Sequence, residues 1–260
     1  GFNTQILSYN LFAGADSFAM MAVPFFVLAG EFMNRGGITK RIVNAANACV
    51  GHVRGGLGYV SILAILLFAS MVGSAVASTA ALGAILIPMM VRAGYSRDKS
   101  AGLIAAGNIL SPIMPPSVPM IVFGVQAGVS VTSLFMAGIA PAVYLTIALC
   151  AVWFVIAKKD NLPTQPRQSK REIARALFDG FWALLLPVFV LIGLRSGMFT
   201  PTEAGVITAV YALVIGLFVY RELKITMLMD CLVSAAKSSS VIMFLAAGAM
   251  VSSWLMTEIG

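Results

Sequence analysis

The sequence predicts an all-α integral membrane protein of several spans, one element folded back as a re-entrant hairpin and another broken by prolines. Three observations carry this expectation. Of 260 residues, 60% are hydrophobic and only 10% are charged, with a mean hydropathy of +0.95. Soluble domains run at roughly 45–50% apolar and about 25% charged. Apolar runs alternate with short basic clusters, and two of the apolar stretches, 57–91 and 101–125, are interrupted in ways that a simple crossing helix is not.

Composition also excludes several classes. The net charge of +7 sits in clusters between apolar runs, not in a basic patch interleaved with aromatics, so it reads as membrane topology and not as nucleic-acid binding. Cys49, Cys150 and Cys231 are far apart and His52 is the only histidine, which leaves no disulfide framework and no Cys/His metal set. No G-x-x-x-x-G-K-[ST] loop and no H-E-x-x-H motif occurs, so neither ATP hydrolysis nor zinc proteolysis is expected, and the chain is not read as an enzyme. Gly1 opens the chain and an apolar run is still in progress at Ile259, so the sequence reads as an excerpt of a longer protein.

Taken in order, residues 1–56 hold a first span (17–34) and then "GGITKRIVNAANACVGHVRGG" (36–56). Here Ile38, Ile42, Val43, Ala46 and Val50 recur at helical spacing, with Lys40, Arg41, Asn44 and Asn47 mostly opposite. That pattern predicts a helix lying along the cytoplasmic interface. Residues 57–157 contain the hairpin (57–91), the broken helix (101–125) and a further span. Residues 158–175 form a polar, proline-containing cytoplasmic linker. Residues 176–260 add spans at 180–196, 201–220 and 238–256. In "FTPTEAG" (199–205), Thr200 is an N-cap, Pro201 takes the first helical position and Glu203 closes a capping box. Four basic clusters separate these runs, and only Arg195 is left over. If all four are cytoplasmic, an even number of crossings separates each neighbouring pair.

Residues 57–91 are too many for one crossing and too few for two. Two legs of about 16 residues rise only about 24 Å each, short of a hydrocarbon core of about 30 Å. The middle, "GSAVAST" (73–79), is small and polar. A re-entrant hairpin entering from the cytoplasm resolves the conflict, provided protein or a cavity surrounds its tip.

The stretch "NILSPIMPPSVPMIVFG" (108–124) poses the complementary problem. Each proline lacks an N–H, so Pro112, Pro115, Pro116 and Pro119 free the carbonyls of Asn108, Ser111, Pro112 and Pro115. A small hard cation such as Na+ prefers several oxygen ligands, and unwound carbonyls between half-helices supply them in secondary transporters. Asn108, Ser111 and Ser117 add side-chain oxygens. At the hairpin tip, Gly73, Ser74 and Ala75 form a tight turn, and Ser78 or Thr79 is expected to cap the second leg. Its N-terminus then attracts an anion such as a carboxylate. A cation site facing an anion site is the pattern of a cotransporter.

Five stretches in order, "MAVPFFVLAGEFMNRGGITKRI", "GSAVASTAALGAILIPMM", "GY" (94–95), "MPPSVPMIVFG" and "GMFTPTEAGVITAVYAL", closely resemble the large membrane subunit of tripartite ATP-independent periplasmic (TRAP) transporters, the DctM-like family. The resemblance implies an elevator-type, inverted-repeat transporter of the bacterial inner membrane, with the second repeat truncated here. On that view 1–56 is scaffold, 57–157 is half of the transport domain and 176–260 begins the second repeat. It further implies coupling to Na+, a small four-helix DctQ-like membrane subunit, a DctP-like periplasmic solute-binding protein, and carboxylate substrates such as dicarboxylates, sialic, keto or sugar acids. Carried onto this sequence, Na+ falls to Gly73, Ser74 and Ala75 and to the unwound segment with Asn108, Ser111, Pro112 and Pro115. The substrate falls near Ser74, Ser78, Thr79, Pro116 and Ser117. The family's hairpin motif often ends in Asp where Ser78 stands, and Asn108 stands where small or hydroxyl residues are common. Two other readings fit the residues: a stand-alone Na+/dicarboxylate symporter of similar fold, and a non-transporting membrane scaffold whose prolines are only kinks.

Overall fold

The computed structural model describes residues 4–259, which contain twelve α-helices and no strand. Helix α1 (Thr4–Ala13) meets a 3-10 turn at Phe18–Met21 that runs into α2 (Ala22–Arg35), bending by 51° at the break. After a left-handed Gly37 comes α3 (Ile38–Val50). It buries Ile38, Ile42, Val43 and Ala46 as the spacing predicts, and exposes Lys40 and Asn44. Helix α3 packs on α4 (Gly56–Val72), and α5 (Ala75–Arg92) follows after two residues. The Ser61 hydroxyl, near the start of α4, lies 3.5 Å from the Met90 sulfur near the end of α5. The two legs therefore run antiparallel, as a hairpin closed at Gly73–Ser74.

Helix α6 (Arg97–Gly107) runs into a 3-10 turn at Asn108–Leu110, and regular structure resumes only at α7 (Val118–Gln126). Then come α8 (Val131–Lys159), α9 (Lys170–Asp179), α10 (Phe181–Arg195), α11 (Pro201–Val214), prolonged by a π turn to Val219, and α12 (Ile225–Ile259). Among the described residues, four helices are long and apolar enough to cross a membrane, or up to six if each bent pair is one span.

The structure departs from the sequence reading in three places. Helix α1 precedes the first expected span. The linker is non-helical only from 160 to 169, because Ser169 and Glu172 form a capping box that starts α9 inside it. The last expected span is the later part of one 35-residue helix that begins at Ile225, with no proline or glycine before Gly248 to stop it.

Residues in and beside the basic clusters adjoin at one end. Arg54 donates to the Asn161 side chain at 2.6 Å, and Lys99 pairs with Asp160. The Gly55 N–H and the Tyr95 hydroxyl both reach the Pro163 carbonyl. Arg41 lies 2.7 Å from Glu222 and 3.6 Å from Asp179, with its guanidinium 3.7 Å above the Tyr220 ring. Arg35 lies 3.5 Å from Asp230. At the other end Ser17, Ala19, Gly128–Thr132 and Pro201 adjoin, and the Thr202 hydroxyl donates to the Phe18 carbonyl at 2.9 Å.

Candidate functional site

The hairpin tip begins where α4 stops at Gly73, whose φ of +62° is left-handed and therefore suited to glycine. A Cβ there would lie 2.8 Å from the Ser117 Cα and 2.9 Å from the Val118 nitrogen, so the tip rests directly on the segment where the broken helix resumes. Ser74 is extended (φ −119°, ψ 114°) and its hydroxyl accepts from the Ala77 N–H, which makes Ser74 the N-cap of α5. This corrects the expectation for Ser78 and Thr79. Both lie inside the first turns, because the chain has already entered the helix on leaving Gly73. The Thr79 hydroxyl donates to the Ala75 carbonyl at 2.7 Å, and the Ser78 hydroxyl is fully buried with no hydrogen-bond partner among the described residues.

The break at 108–117 is only partly open. The Asn108 carbonyl accepts from the Ser111 N–H at 3.0 Å, closing the 3-10 turn, and the Pro112 carbonyl accepts from the Ser117 hydroxyl at 2.7 Å. Two of the four carbonyls expected to be free are therefore satisfied inside the loop. Ser117 also accepts from the Met120 N–H and caps α7, so both capacities of this hydroxyl go to shaping the break. Pro115 and Pro116 are buried and joined by a cis peptide bond. Among the described residues, the Ser111 and Pro115 carbonyls have no backbone donor.

Three of the six buried side-chain atoms without a partner among the described residues belong to these two elements: the Ser78 hydroxyl, the Asn108 Oδ1 and the Ser111 hydroxyl. The Asn108 Nδ2 is engaged by the Ile104 carbonyl at 2.7 Å, so it is the oxygen that is left over. Asn108–Leu110 packs against both hairpin legs. A buried oxygen without a donor costs about 1–3 kcal/mol, and hydroxyl and amide oxygens are ligands of the kind that a hard cation takes. No group of three His, Cys, Asp or Glu side chains occurs among the described residues, so hydroxyl, amide and carbonyl oxygens are the ligands on offer.

In front of the junction opens a cavity of about 610 Å³. Gly73, Ser74 and Ala75 from the tip line it, as do Pro112, Val118 and Pro119 from the break, Gln126 from α7, Glu31 and Asn34 from α2, and Ser238 from α12. The N-termini of α5 and α7 thus open on one space, each with a serine cap and no acidic residue in its first turn. Of the sequence-predicted residues, Gly73, Ser74, Ala75 and Pro112 reach the cavity. Ser78, Thr79, Asn108, Ser111, Pro115, Pro116 and Ser117 do not line it.

Sequence reasoning missed Asn34, Gln126 and Ser238 as wall residues. The Gln126 amide donates to the Ala246 carbonyl at 3.0 Å and the Gly14 carbonyl at 3.4 Å, and a glutamine closing an apolar run was the available signal. Glu31 lies 3.7 Å from Arg35, accepts from Ser234 at 2.7 Å, and faces the cavity as well.

A folded-back helix pair, a proline-broken helix and a cavity beside them, within a chain of long apolar helices, are features of a multi-span integral membrane protein. The chain belongs to the DctM component of the tripartite ATP-independent periplasmic transporters, a family it matches over residues 2–260. It is 52% identical over 256 residues to the 2,3-diketo-L-gulonate TRAP transporter large permease protein of Escherichia coli, covering 98% of this chain and 60% of that relative. It is 41% identical over 249 residues (96% and 58%) to the sialic acid TRAP transporter large permease protein of Vibrio cholerae. To the C4-dicarboxylate TRAP transporter large permease protein of Pseudomonas aeruginosa it is 40% identical over 255 residues (98% and 60%). The chain spans about three-fifths of the length of these relatives.

Proposed function

We propose that the chain is part of the large transmembrane subunit of a Na+-coupled, ATP-independent importer of organic acids in the bacterial inner membrane. It works with a small four-helix membrane subunit and a periplasmic solute-binding protein, which are the two remaining members of a tripartite system. The observation that carries this reading is the contact of Gly73 with Ser117 and Val118, which brings two acid-free helix N-termini to one cavity, while three orphaned oxygens lie off the cavity on the same two elements.

The division of labour follows from charge. The Ser78, Asn108 and Ser111 oxygens, with the free carbonyls of Ser111 and Pro115, hold Na+ behind the junction. The N–H groups at the start of α5, with that of Val118 at the start of α7, receive the substrate carboxylate from the cavity side, each helix end carrying roughly half a positive charge. Bound Na+ keeps the hairpin tip seated on the break, so that the anion site is complete only when the cation is present. Relatives named for a diketo sugar acid, a sialic acid and a dicarboxylate share the carboxylate, and this chain's substrate belongs to the same chemical class. Transport proceeds by elevator movement of the hairpin-bearing half of an inverted-repeat fold, with the hairpin re-entering from the cytoplasmic side.

Ser78→Ala and Ser111→Ala in the full-length permease test the cation site. Each removes an unpartnered hydroxyl, so the melting temperature without Na+ stays level or rises. The rise in melting temperature on adding Na+ disappears, and the Na+ concentration for half-maximal uptake increases at least about tenfold, the equivalent of about 1.4 kcal/mol. Unchanged Na+ dependence in both variants would sink the assignment.

A further inference from the structure

The elbow between α9 and α10 carries a charge imbalance that no internal contact explains. Helix α9 presents Lys170, Arg171 and Arg175 to solvent, with Arg167 just before it, and none of the four has an ion pair among the described residues. Its two acids are both occupied. The Glu172 carboxylate accepts from the Ser169 N–H at 2.7 Å to close the capping box, and Asp179 lies 3.6 Å from Arg41. What faces outward is therefore cationic.

An apolar component lies beside it. Phe178 is 83% exposed, and Leu177, Phe181 and Trp182 are exposed around the same turn. Helix α9 buries no residue fully, although it packs along α3, and it meets the apolar α10 at 58°. A short basic helix inclined to a span, with aromatic side chains at the corner, matches the chemistry of a membrane surface: phosphates for the cations, and the headgroup–acyl boundary for Phe178 and Trp182. Arg175 and Phe178 also edge a recess of about 480 Å³, but Glu172 and Asp179 line it too, so the cations that face an anionic surface are those on the outer side of α9.

We propose that this elbow is a docking site for anionic phospholipid headgroups of the cytoplasmic leaflet, with Lys170, Arg171 and Arg175 holding phosphate and Phe178 seated among the acyl chains. The end of the molecule at which residues of the basic clusters adjoin fixes the leaflet. Such a site anchors α9 at the membrane surface, and through the Arg41–Asp179 pair it anchors α3 as well.

Native mass spectrometry of the full-length permease in detergent, titrated with phosphatidylglycerol or phosphatidylcholine, tests this. The triple variant K170Q/R171Q/R175Q loses at least about tenfold in phosphatidylglycerol affinity, at roughly fivefold per basic side chain near an anionic surface. Phosphatidylcholine retention stays as in the parent. The charge-keeping variant K170R/R171K/R175K retains the parent's preference, and Arg175→Gln alone, at an exposed position, gives the partial loss should the triple variant fold poorly. Phosphatidylglycerol affinity within twofold of the parent in both glutamine variants overturns the proposal. So does release of the lipid by millimolar inorganic phosphate, or loss of a copurifying membrane subunit with lipid retention unchanged, since the face would then be an anion or protein site.

Discussion

Two pairs of helix starts in this chain use the same serine or threonine cap and end in opposite electrostatic states. At α9 and α11, Ser169 and Thr200 accept from the N–H three residues on, and Glu172 and Glu203 reach back to the cap. At α5 and α7, Ser74 and Ser117 make the same first bond, but the third helical residue is Ala77 or Met120. The first pair is exposed and neutralised by its own carboxylate. The second is turned into the 610 Å³ cavity and left uncompensated. An N-terminus that already holds a carboxylate has little to offer a second one, whereas the starts of α5 and α7 keep their positive ends free at the cavity.

The sharpest way to break this comparison is to make an interior start resemble a surface one. Ala77→Glu puts a carboxylate where the substrate's would lie. Two unit charges about 4 Å apart oppose each other by about 4 kcal/mol at an effective dielectric of 20. Uptake into proteoliposomes falls at least about a hundredfold, while Ala77→Gln, of equal bulk, keeps most of it. Equal loss in both variants would mean that volume and not charge decides.

A smaller effect is expected from the turn that aims the interior pair. Gly73→Ala forces a Cβ into a left-handed residue and to within 2.8 Å of the Ser117 Cα. The strain and the overlap together amount to about 2–5 kcal/mol, read as a lowered melting temperature of the purified permease. A melting temperature equal to the parent's would show that the tip and the break are not in contact.

The smallest effect belongs to the surface pair. The Ser169 N–H holds the Glu172 carboxyl below its ordinary range. Its folded value is depressed, so the capping contribution is complete above the unfolded value and is lost as pH falls through the folded one. A spin label at Ala174 becomes more mobile on acidification through that window, and Ser169→Ala, which costs roughly 1 kcal/mol of local helix stability, gives the mobile spectrum at neutral pH. Mobility that ignores both changes would show that packing on α3 alone orders α9.

Much of this contrast was written locally and could be read. The capping box at Thr200 and Glu203 is a short-range pattern, and so are the prolines at 112, 115, 116 and 119 that forbid a continuous helix. The hairpin followed from length against bilayer thickness. What could not be read depended on where the chain turned in space. The cap fell to Ser74 and not to Ser78 or Thr79 because Gly73 adopts a left-handed conformation. The Pro112 carbonyl was satisfied because the loop folds Ser117 back onto it, a five-residue closure that no propensity encodes. Asn34, Gln126 and Ser238 became cavity residues through packing between α2, α7 and α12, which are distant in sequence. The capping box that starts α9 was visible as "SKRE" (169–172) but lay within a stretch whose polarity suggested a loop.

The stapled start of the 160–169 segment sets a mechanical limit. Pro163 is fastened to the bases of both broken elements through Gly55 and Tyr95, while Lys170 opens the helix that rests on α3. Only residues 164–169 lie between, and a fully extended chain covers at most about 3.3–3.6 Å per residue. The segment is thus a tether with a reach of roughly 20–25 Å. If transport moves the hairpin half past α9, the travel is bounded by this leash while the Pro163 contacts hold, and shortening it by two residues would shorten that travel by about 7 Å.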